Sequence, residues 1–270
     1  MRVGIGLPNG IPGTDASVLP EWARRAEQRP FTSLGVIHRV AYDAHDPFDS
    51  LAAAAEVTER LRLVTMVVIA PLLATEVLSE RADAVHGAAA GRLVLGMGVG
   101  ARTEDYEAAG MPHRGRGERF DEQLTDLRDR WDGEGPTVLV GGTDDRAFAR
   151  VARHADGYVH GGGPPRAFTR AAQKARAAWI DGGRPGEPKL WGQSYFVLGD
   201  EATVERARAY MLDYYAFTGP FAQRIAEGLL TTPQAVAGQL RGYAEAGCDE
   251  LVLLPAVNDL DQVERLAEAL

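Results

Sequence analysis

The stretch Thr137-Val-Leu-Val-Gly141-Gly142-Thr143-Asp144-Asp-Arg146 contains a strand, a turn and a helix start. Its apolar residues 138–140 predict a buried strand. The two glycines permit a tight turn, and Thr143 is placed as the N-cap of a helix over 144–154. This strand–turn–helix unit decides the fold, because the chain repeats it from one end to the other.

Apolar strands alternate with helices along the whole sequence. Strands are predicted at 2–7, 33–38, 61–70, 91–98, 137–141, 157–160, 189–198 and 250–255. Helices are predicted at 18–29, from Pro47 onward, and at 74–90, 115–131, 144–154, 165–181, 202–215, 233–245 and 260–270. Asp46 is the expected N-cap of the helix that begins at Pro47, since proline is favoured at the first helical position.

Eight strand–helix units predict a single closed (β/α)₈ barrel, a TIM barrel, as one domain over residues 1–270. The length of 270 residues agrees with the ~250 residues typical of such a barrel. A doubly wound open sheet is the alternative fold. No change in composition marks a linker between two domains.

The composition excludes several classes of protein. With 29 basic and 38 acidic side chains the formal charge is −9, which argues against a partner such as nucleic acid or an anionic membrane. The apolar stretch 64–74 is too short to span a bilayer, and the N-terminus has no apolar signal-peptide core, so we expect a cytoplasmic protein. A single cysteine and six histidines without metal-ligand spacing predict no metal site.

Glycines cluster where the strands end, which is where barrel enzymes bind their ligands. Gly141, Gly142 and Thr143 offer free backbone N–H groups at a helix N-terminus and predict a phosphate seat. Arg146 would add a cation, and Gly161 and Gly162 after the next strand would form the other wall. An ordinary helix-capping turn is the alternative interpretation of the same residues.

Two other sequence features lie at strand ends. The run Gly96-Met-Gly98-Val-Gly100 resembles a dinucleotide-binding fingerprint, but no helix begins cleanly at Gly100 and the expected acidic residue is absent, so we reject that interpretation. His38 ends the second strand and is a candidate for hydrogen bonding to a bound ring or for proton transfer. A hydrogen-bonded histidine at the barrel rim is the alternative.

With the glycines placed, the chain resembles the luciferase-like family of flavin- or deazaflavin-dependent barrel oxidoreductases over nearly its whole length. The resemblance rests first on residues 91–100, 104–112 and 119–122, with the sequences GRLVLGMGVG, EDYEAAGMP and RFDE. It rests further on Arg62-Leu-Val-Thr65 before Pro71, on the Val-Gly-Gly-Thr turn followed by residues 152–157, and on residues 247–253.

The resemblance implies a cofactor, FMN or the deazaflavin coenzyme F-420, whose phosphate is held at the Gly-Gly-Thr turn and whose ring lies over the barrel mouth. It implies a bulge in the third strand, sometimes with a non-proline cis peptide, at Met66-Val67, which together with Gly98 would support the ring. His38 and Arg39 are the polar candidates for catalysis near the reacting centre.

The chain departs from the family pattern in three places. His38-Arg39 stands where many members have an acidic residue followed by histidine, Ala101 replaces an aromatic or polar residue, and only five residues separate Trp131 from Thr137. These departures keep one alternative open, a ligand-binding barrel that has lost productive cofactor binding. A phosphate-binding isomerase or lyase would use the same Gly-Gly-Thr seat, but it usually needs a lysine or glutamate at a strand end and none is well placed. The expected partners are a small organic substrate, a second copy of the chain in a homodimer and, for FMN, a separate flavin reductase.

Overall fold

Parallel strands form a closed barrel in the computed structural model, which describes all residues, 1–270. The strands are β1 Arg2–Gly6, β2 Ser33–Val36, β3 Arg62–Thr65, β4 Val68–Ile69, β5 Leu93–Gly98, β6 Thr137–Gly141, β7 Gly157–His160, β8 Lys189–Phe196 and β9 Glu250–Pro255. Segments β3 and β4 are two halves of the third barrel strand. The first strand pairs with β2 and with β9, and β3 pairs with β5, so the sheet has no free edge.

Helices surround this barrel, which confirms the predicted TIM barrel over the open sheet. They are α1 Val18–Glu27, α2 Pro47–Ala55, α3 Thr75–Ala88, α4 Thr103–Ala108, α5 Arg116–Trp131, α6 Asp145–His154, α7 Pro165–Asp181, α8 Glu201–Tyr214, α9 Phe221–Glu227, α10 Pro233–Glu245 and α11 Asp261–Glu268. Two of them, α4 and α9, were not predicted. No helix combines the length and apolar character needed to cross a membrane.

The start of α2 follows its sequence signals. The Asp46 side chain accepts the N–H groups of Phe48 and Asp49 at 2.8 and 3.1 Å, and Pro47 occupies the first helical position. The prediction for this N-terminus is therefore confirmed. Two of the donors that a helix start leaves unpaired are satisfied by the capping carboxylate.

Two apolar layers hold the barrel together. The larger layer lies between the strands and the helices and includes Trp22, Phe120 and Phe168. The second layer fills the barrel interior with the inward-facing side chains of the strands, such as Val64 and Val252, and it continues onto α8. Because α8 shares this inner layer, it lies across the mouth of the barrel and not on its outer wall.

A buried ion cluster closes the end of the barrel opposite the mouth. Glu250 begins β9, is fully buried, and contacts the guanidinium groups of Arg62 and, at 3.2 Å, of Arg2. The Thr32 hydroxyl donates to the same carboxylate at 2.8 Å. The lone Cys248 is buried beside this end, where burial raises the pKa of its thiol to about 12. The thiol is therefore protonated at neutral pH.

The third barrel strand loses one of its two partners halfway along. Up to Thr65 it pairs with β2 and with β5, whereas Val68 and Ile69 pair only with β5. The peptide between Met66 and Val67 is cis, so the feature that the family resemblance implied at this position is confirmed. The continuous strand predicted over 61–70 is wrong in this respect.

Gly96 allows the backbones of β3 and β5 to approach closely at this break. A Cβ on Gly96 would lie 2.1 Å from the carbonyl oxygen of Thr65, which is a main-chain atom that cannot rotate away. We expect Gly96→Ala to lower the free energy of unfolding by about 1–3 kcal/mol or more. Gly238→Ala is the matched control, because a Cβ there meets nothing and alanine favours the helix by about 1 kcal/mol. Urea denaturation of both variants checks this, and equal stability of the two would contradict it.

Candidate active site at the barrel mouth

Two glycine-rich loops lie side by side at the mouth. Gly141 in β6 pairs with Val159 in β7, so the loops that follow these strands are neighbours. The Tyr158 hydroxyl donates to the carbonyl of Gly142 at 2.9 Å and lies 3.1 Å from Nδ1 of His160. One side chain thus fixes the first loop against the strand that leads into the second.

The loops present unpaired backbone donors. None of the N–H groups of Gly142, Thr143, Asp144 or residues 161–163 donates to another backbone group. Three of their carbonyls accept bonds from side chains: Gly142 is held by Tyr158, Gln193 donates to Gly161 at 3.2 Å, and Gln239 and Tyr243 donate to Gly163 at 2.9 and 3.0 Å. With these carbonyls tied to side chains, the free N–H groups form a surface suited to an anion.

The helix after the first loop begins one residue later than predicted. Asp144, not Thr143, is the N-cap of α6, and its side chain accepts the N–H of Ala147 at 2.9 Å. The assignment of Thr143 as N-cap is therefore wrong: the aspartate carboxylate takes the capping bond and leaves the threonine in the turn. Thr143 is exposed, as is Arg146 in the first turn of α6, which forms no ion pair.

Val67 joins the break in the third strand to the first glycine loop. A Cβ on Gly98 would lie 3.1 Å from the Val67 side chain, and a Cβ on Gly141 would lie 3.6 Å from it. The absence of side chains on these glycines gives Val67 its place beside the loop. Met66 packs in the barrel interior, in the same inner layer that Val67 adjoins. Of the predicted ring-supporting residues, Val67 and Gly98 therefore lie together, and Met66 lies next to Val67 in the inner layer.

His38 supports the second half of the third strand. Its Nδ1 accepts the N–H of Ile69 at 3.1 Å, on the side where β4 has no strand partner. Burial lowers the pKa of His38, although Asp46 and Asp105 partly oppose this. The ring is therefore neutral at pH 7 with its proton on Nε2. This contact gives His38 a structural task, and its part in catalysis stays a prediction.

Arg39 is engaged in a buried ion pair. Its Nε lies 2.9 and 3.1 Å from the two carboxylate oxygens of Asp105, a fully buried residue of α4. The same carboxylate accepts the N–H groups of Val40 and Ala41 at 2.9 and 2.8 Å. Burial alone would raise the pKa of Asp105, but these two N–H groups and Arg39 together hold it below its usual value. Arg39 thus fixes the loop after β2, and its contact with substrate stays a prediction.

A cluster of tyrosines from the end of α8 covers the mouth. This tyrosine cluster consists of Tyr210, Tyr214 and Tyr215, and the hydroxyl of Tyr210 is buried without a hydrogen-bond partner. The guanidinium of Arg102 lies 4.4 Å from the ring centre of Tyr214 and donates to its carbonyl at 3.0 Å. These residues were missed from the sequence, where their spacing indicates only the inner face of a helix.

His160 ends β7 directly beneath the second glycine loop. It is buried between Tyr158 and Phe168, and its Nε2 has no hydrogen-bond partner. Burial lowers its pKa from 6.5 to about 4, although the Gly162 backbone partly opposes this. The ring is therefore neutral near pH 7.

An open cleft adjoins the second glycine loop. Its volume is about 630 Å³, and it lies between the ends of β7 and β8 on one side and helices α8 and α9 on the other. This volume is within the roughly 300–1,000 Å³ common for small-molecule sites. The predicted seat residues Gly161 and Gly162 form one edge of the cleft, whereas Val67, Gly98 and Gly141 lie outside it.

Comparisons with known proteins agree with this architecture. A family model described as luciferase-like monooxygenase matches residues 1–249. Uncharacterized proteins of Mycobacterium tuberculosis and Mycobacterium bovis are 30% identical over 161 residues. These matches span 52% of this chain and only 56% of the mycobacterial proteins.

Solved structures of similar fold include enzymes of two kinds. The monooxygenase RslO1 from Streptomyces bottropensis is 19% identical with a TM-score of 0.79, covering 100% of this chain and 98% of its own. An F420-dependent secondary alcohol dehydrogenase, in complex with an F420-acetone adduct, is 14% identical with a TM-score of 0.83 over 100% and 98%. The oxygenating constituent of 3,6-diketocamphane monooxygenase from Pseudomonas putida, in complex with FMN, is 15% identical with a TM-score of 0.73 over 99% and 95%.

The buried pair of Arg39 and Asp105 yields a first prediction for the site. We expect Asp105→Asn to lower the free energy of unfolding by about 3–5 kcal/mol, because it leaves a buried guanidinium without its counter-ion. Glu104→Gln is the control, since Glu104 is 45% exposed and only 3.5 Å from the same guanidinium. It should cost less than about 1 kcal/mol in denaturant unfolding. A smaller loss for Asp105→Asn than for the control would contradict the assignment.

The lowered pKa of His160 yields a second prediction. As the pH is lowered from 7 to 5, the unfolded chain gains a proton at this histidine that the folded protein does not bind. The free energy of unfolding therefore decreases as the pH decreases. The loss from this one group should be about 1–2 kcal/mol. Denaturant unfolding at both pH values should show a smaller pH dependence for His160→Gln than for the unmodified protein. An unchanged difference would show that His160 is not buried in its neutral form.

Proposed function

The chain belongs to the luciferase-like monooxygenase family, and from this premise we propose that it is an oxidoreductase that binds reduced FMN or coenzyme F-420 at the barrel mouth. The observation that carries the proposal is the pair of adjoining loops whose N–H groups are free while three of their carbonyls are held by side chains. Such donors suit the phosphate that both cofactors carry.

The first loop would hold the phosphate through the N–H groups of Gly142, Thr143 and Asp144. The N-terminal end of α6 adds the partial positive charge of its aligned peptide groups. Arg146 lies within the first turn of α6 and has no acidic partner, so its guanidinium is free to approach the anion. Gly161 and Gly162 would supply donors from the opposite side. The residues of the seat therefore fit a phosphate.

The ring of the cofactor would lie over Val67, where Gly98 and Gly141 leave the backbone bare. Val67 is only partly buried, whereas the residues around it in the third strand are buried, so it presents an apolar surface at the mouth. Bound FMN would supply oxygenation of an organic substrate, and bound F-420 would supply hydride transfer without oxygen. Solved enzymes of similar fold support either choice, because one contains FMN and another an F420 adduct.

The chain's own residues have tasks that do not depend on which cofactor binds. The tyrosine cluster would shield the mouth from water, and burial keeps the Tyr210 hydroxyl protonated, because it raises the pKa of that group well above its usual value. The neutral His38 holds the second half of the third strand, and the paired Arg39 holds the loop after β2. An FMN enzyme of this kind would also need a partner that reduces the flavin, and a homodimer is compatible with the proposal.

A ligand-binding barrel without cofactor chemistry is the second candidate. The connection from α5 to β6 favours it, because only five residues join Trp131 to Thr137. Arg39 also favours it, because its guanidinium is paired with Asp105 and lies 4.7 Å from the centre of the Tyr42 ring, which leaves it less available to a substrate. This candidate shares the phosphate seat but predicts no turnover.

Equilibrium titration with FMN and with F-420 tests the proposed function. We expect micromolar binding of one of them and at least a tenfold weaker affinity for Thr143→Glu, because the new carboxylate would repel the phosphate. A tenfold change corresponds to about 1.4 kcal/mol. Thr125→Glu, on the exposed face of α5, is the control and should bind like the unmodified protein.

Two outcomes would reject the proposal. If neither cofactor binds, the proposal of an FMN- or F-420-dependent enzyme is rejected. If Thr143→Glu binds the cofactor with unchanged affinity, the phosphate lies elsewhere. Tight binding of one cofactor without oxidation or reduction of any added organic substrate would favour the second candidate.

A further inference from the structure

The open cleft has apolar walls that suit a flat ligand. Tyr195 and Tyr215 line its inner part, with their ring centres 6.0 Å apart at nearly a right angle. Met211 and Ile225 add flexible apolar surface, and Phe221 at the rim is 53% exposed. Large exposed aromatic side chains beside a cavity are typical of ligand-binding sites.

Two arginines on facing walls of this cleft have no acidic partner. Arg166 comes from the first turn of α7 and Arg224 from α9, and both line the cleft. Neither lies within 4.0 Å of a carboxylate, whereas Arg176 and Arg208, farther along α7 and α8, each have one. Arg224 only approaches the Phe221 ring, at 5.8 Å.

The single acid of the cleft does not neutralise these arginines. Glu227 also lines it, but its carboxylate accepts from Gln223 at 3.3 Å and forms no ion pair. The side chains of the cleft therefore carry one net positive charge on a protein whose formal charge is −9. Unpaired cations in a concave site of an acidic protein concentrate the field where an anionic ligand would enter.

We propose that this cleft is the substrate site and that its substrate is an organic anion with a flat apolar body. The aromatic and aliphatic walls would take the apolar body, and Arg166 and Arg224 would bind the anionic group. Guanidinium groups suit this task because their planar fork donates two hydrogen bonds to a carboxylate. The inference rests on the proposed function in one respect, namely that the cofactor occupies the neighbouring mouth and leaves the cleft open.

Calorimetric titration with a matched pair of probes tests the proposal. The probes are 2-naphthoate and its neutral counterpart 2-naphthamide, added to protein saturated with whichever cofactor binds. We expect the naphthoate to bind at least tenfold more tightly than the amide. In the double variant Arg166→Gln/Arg224→Gln the two affinities should agree within about twofold.

Arg208→Gln is the matched control, because Arg208 lies on α8, is half exposed and pairs with Glu205 outside the cleft. It should keep the preference for the anion. Equal binding of the two probes, binding of neither, a preference that survives the double variant, or displacement of the naphthoate by the cofactor would each overturn the proposal.

A failure of the proposed function can be distinguished from a failure of the proposed substrate site. If neither FMN nor F-420 binds, the same probe titration on the protein alone still decides whether the arginines select an anion. The cofactor titration reports on the mouth, and the ratio of the two probe affinities reports on the cleft.

Discussion

The mouth of this barrel depends on how its third strand loses one of its two neighbours. Until Thr65 the strand pairs with both β2 and β5, and from Val68 it pairs with β5 alone, while the ring of His38 takes the place of β2. This arrangement turns Met66 into the interior and leaves Val67 against the bare backbone of Gly98. The floor of the proposed cofactor site and the role of His38 both follow from the loss of β2 as a partner.

The proposed phosphate seat is made by the backbone, and side chains act on it from outside. Three carbonyls of the two loops accept hydrogen bonds from Tyr158, Gln193, Gln239 and Tyr243, while the N–H groups stay available to a ligand. A seat of this kind needs no charged side chain at its centre. It also explains why glycines are concentrated at these two strand ends, where a ligand must approach the main chain closely.

Regular elements of this fold could be predicted from the sequence because apolar periodicity and turn residues are local signals. The strands at 137–141, 157–160 and 250–255 have the predicted bounds. The helices α4 and α9 escaped prediction because each is shorter than two full turns and has no repeating apolar face. The pair of Arg39 and Asp105 could not be predicted either, because 66 residues separate its members and neither carries a local sign of burial. Residues 210, 214 and 215 indicate a buried helix face, but only the tertiary structure shows that this face covers the mouth.

The central claim is that free N–H groups at two neighbouring strand ends hold the phosphate of a cofactor. Backbone amide NMR during titration with FMN or F-420 tests it most directly. We expect the largest downfield amide shifts at Gly142, Thr143 and residues 161–163, with little change at Gly238 in α10. Large shifts elsewhere at the mouth, with those five amides unmoved at saturation, would contradict the account.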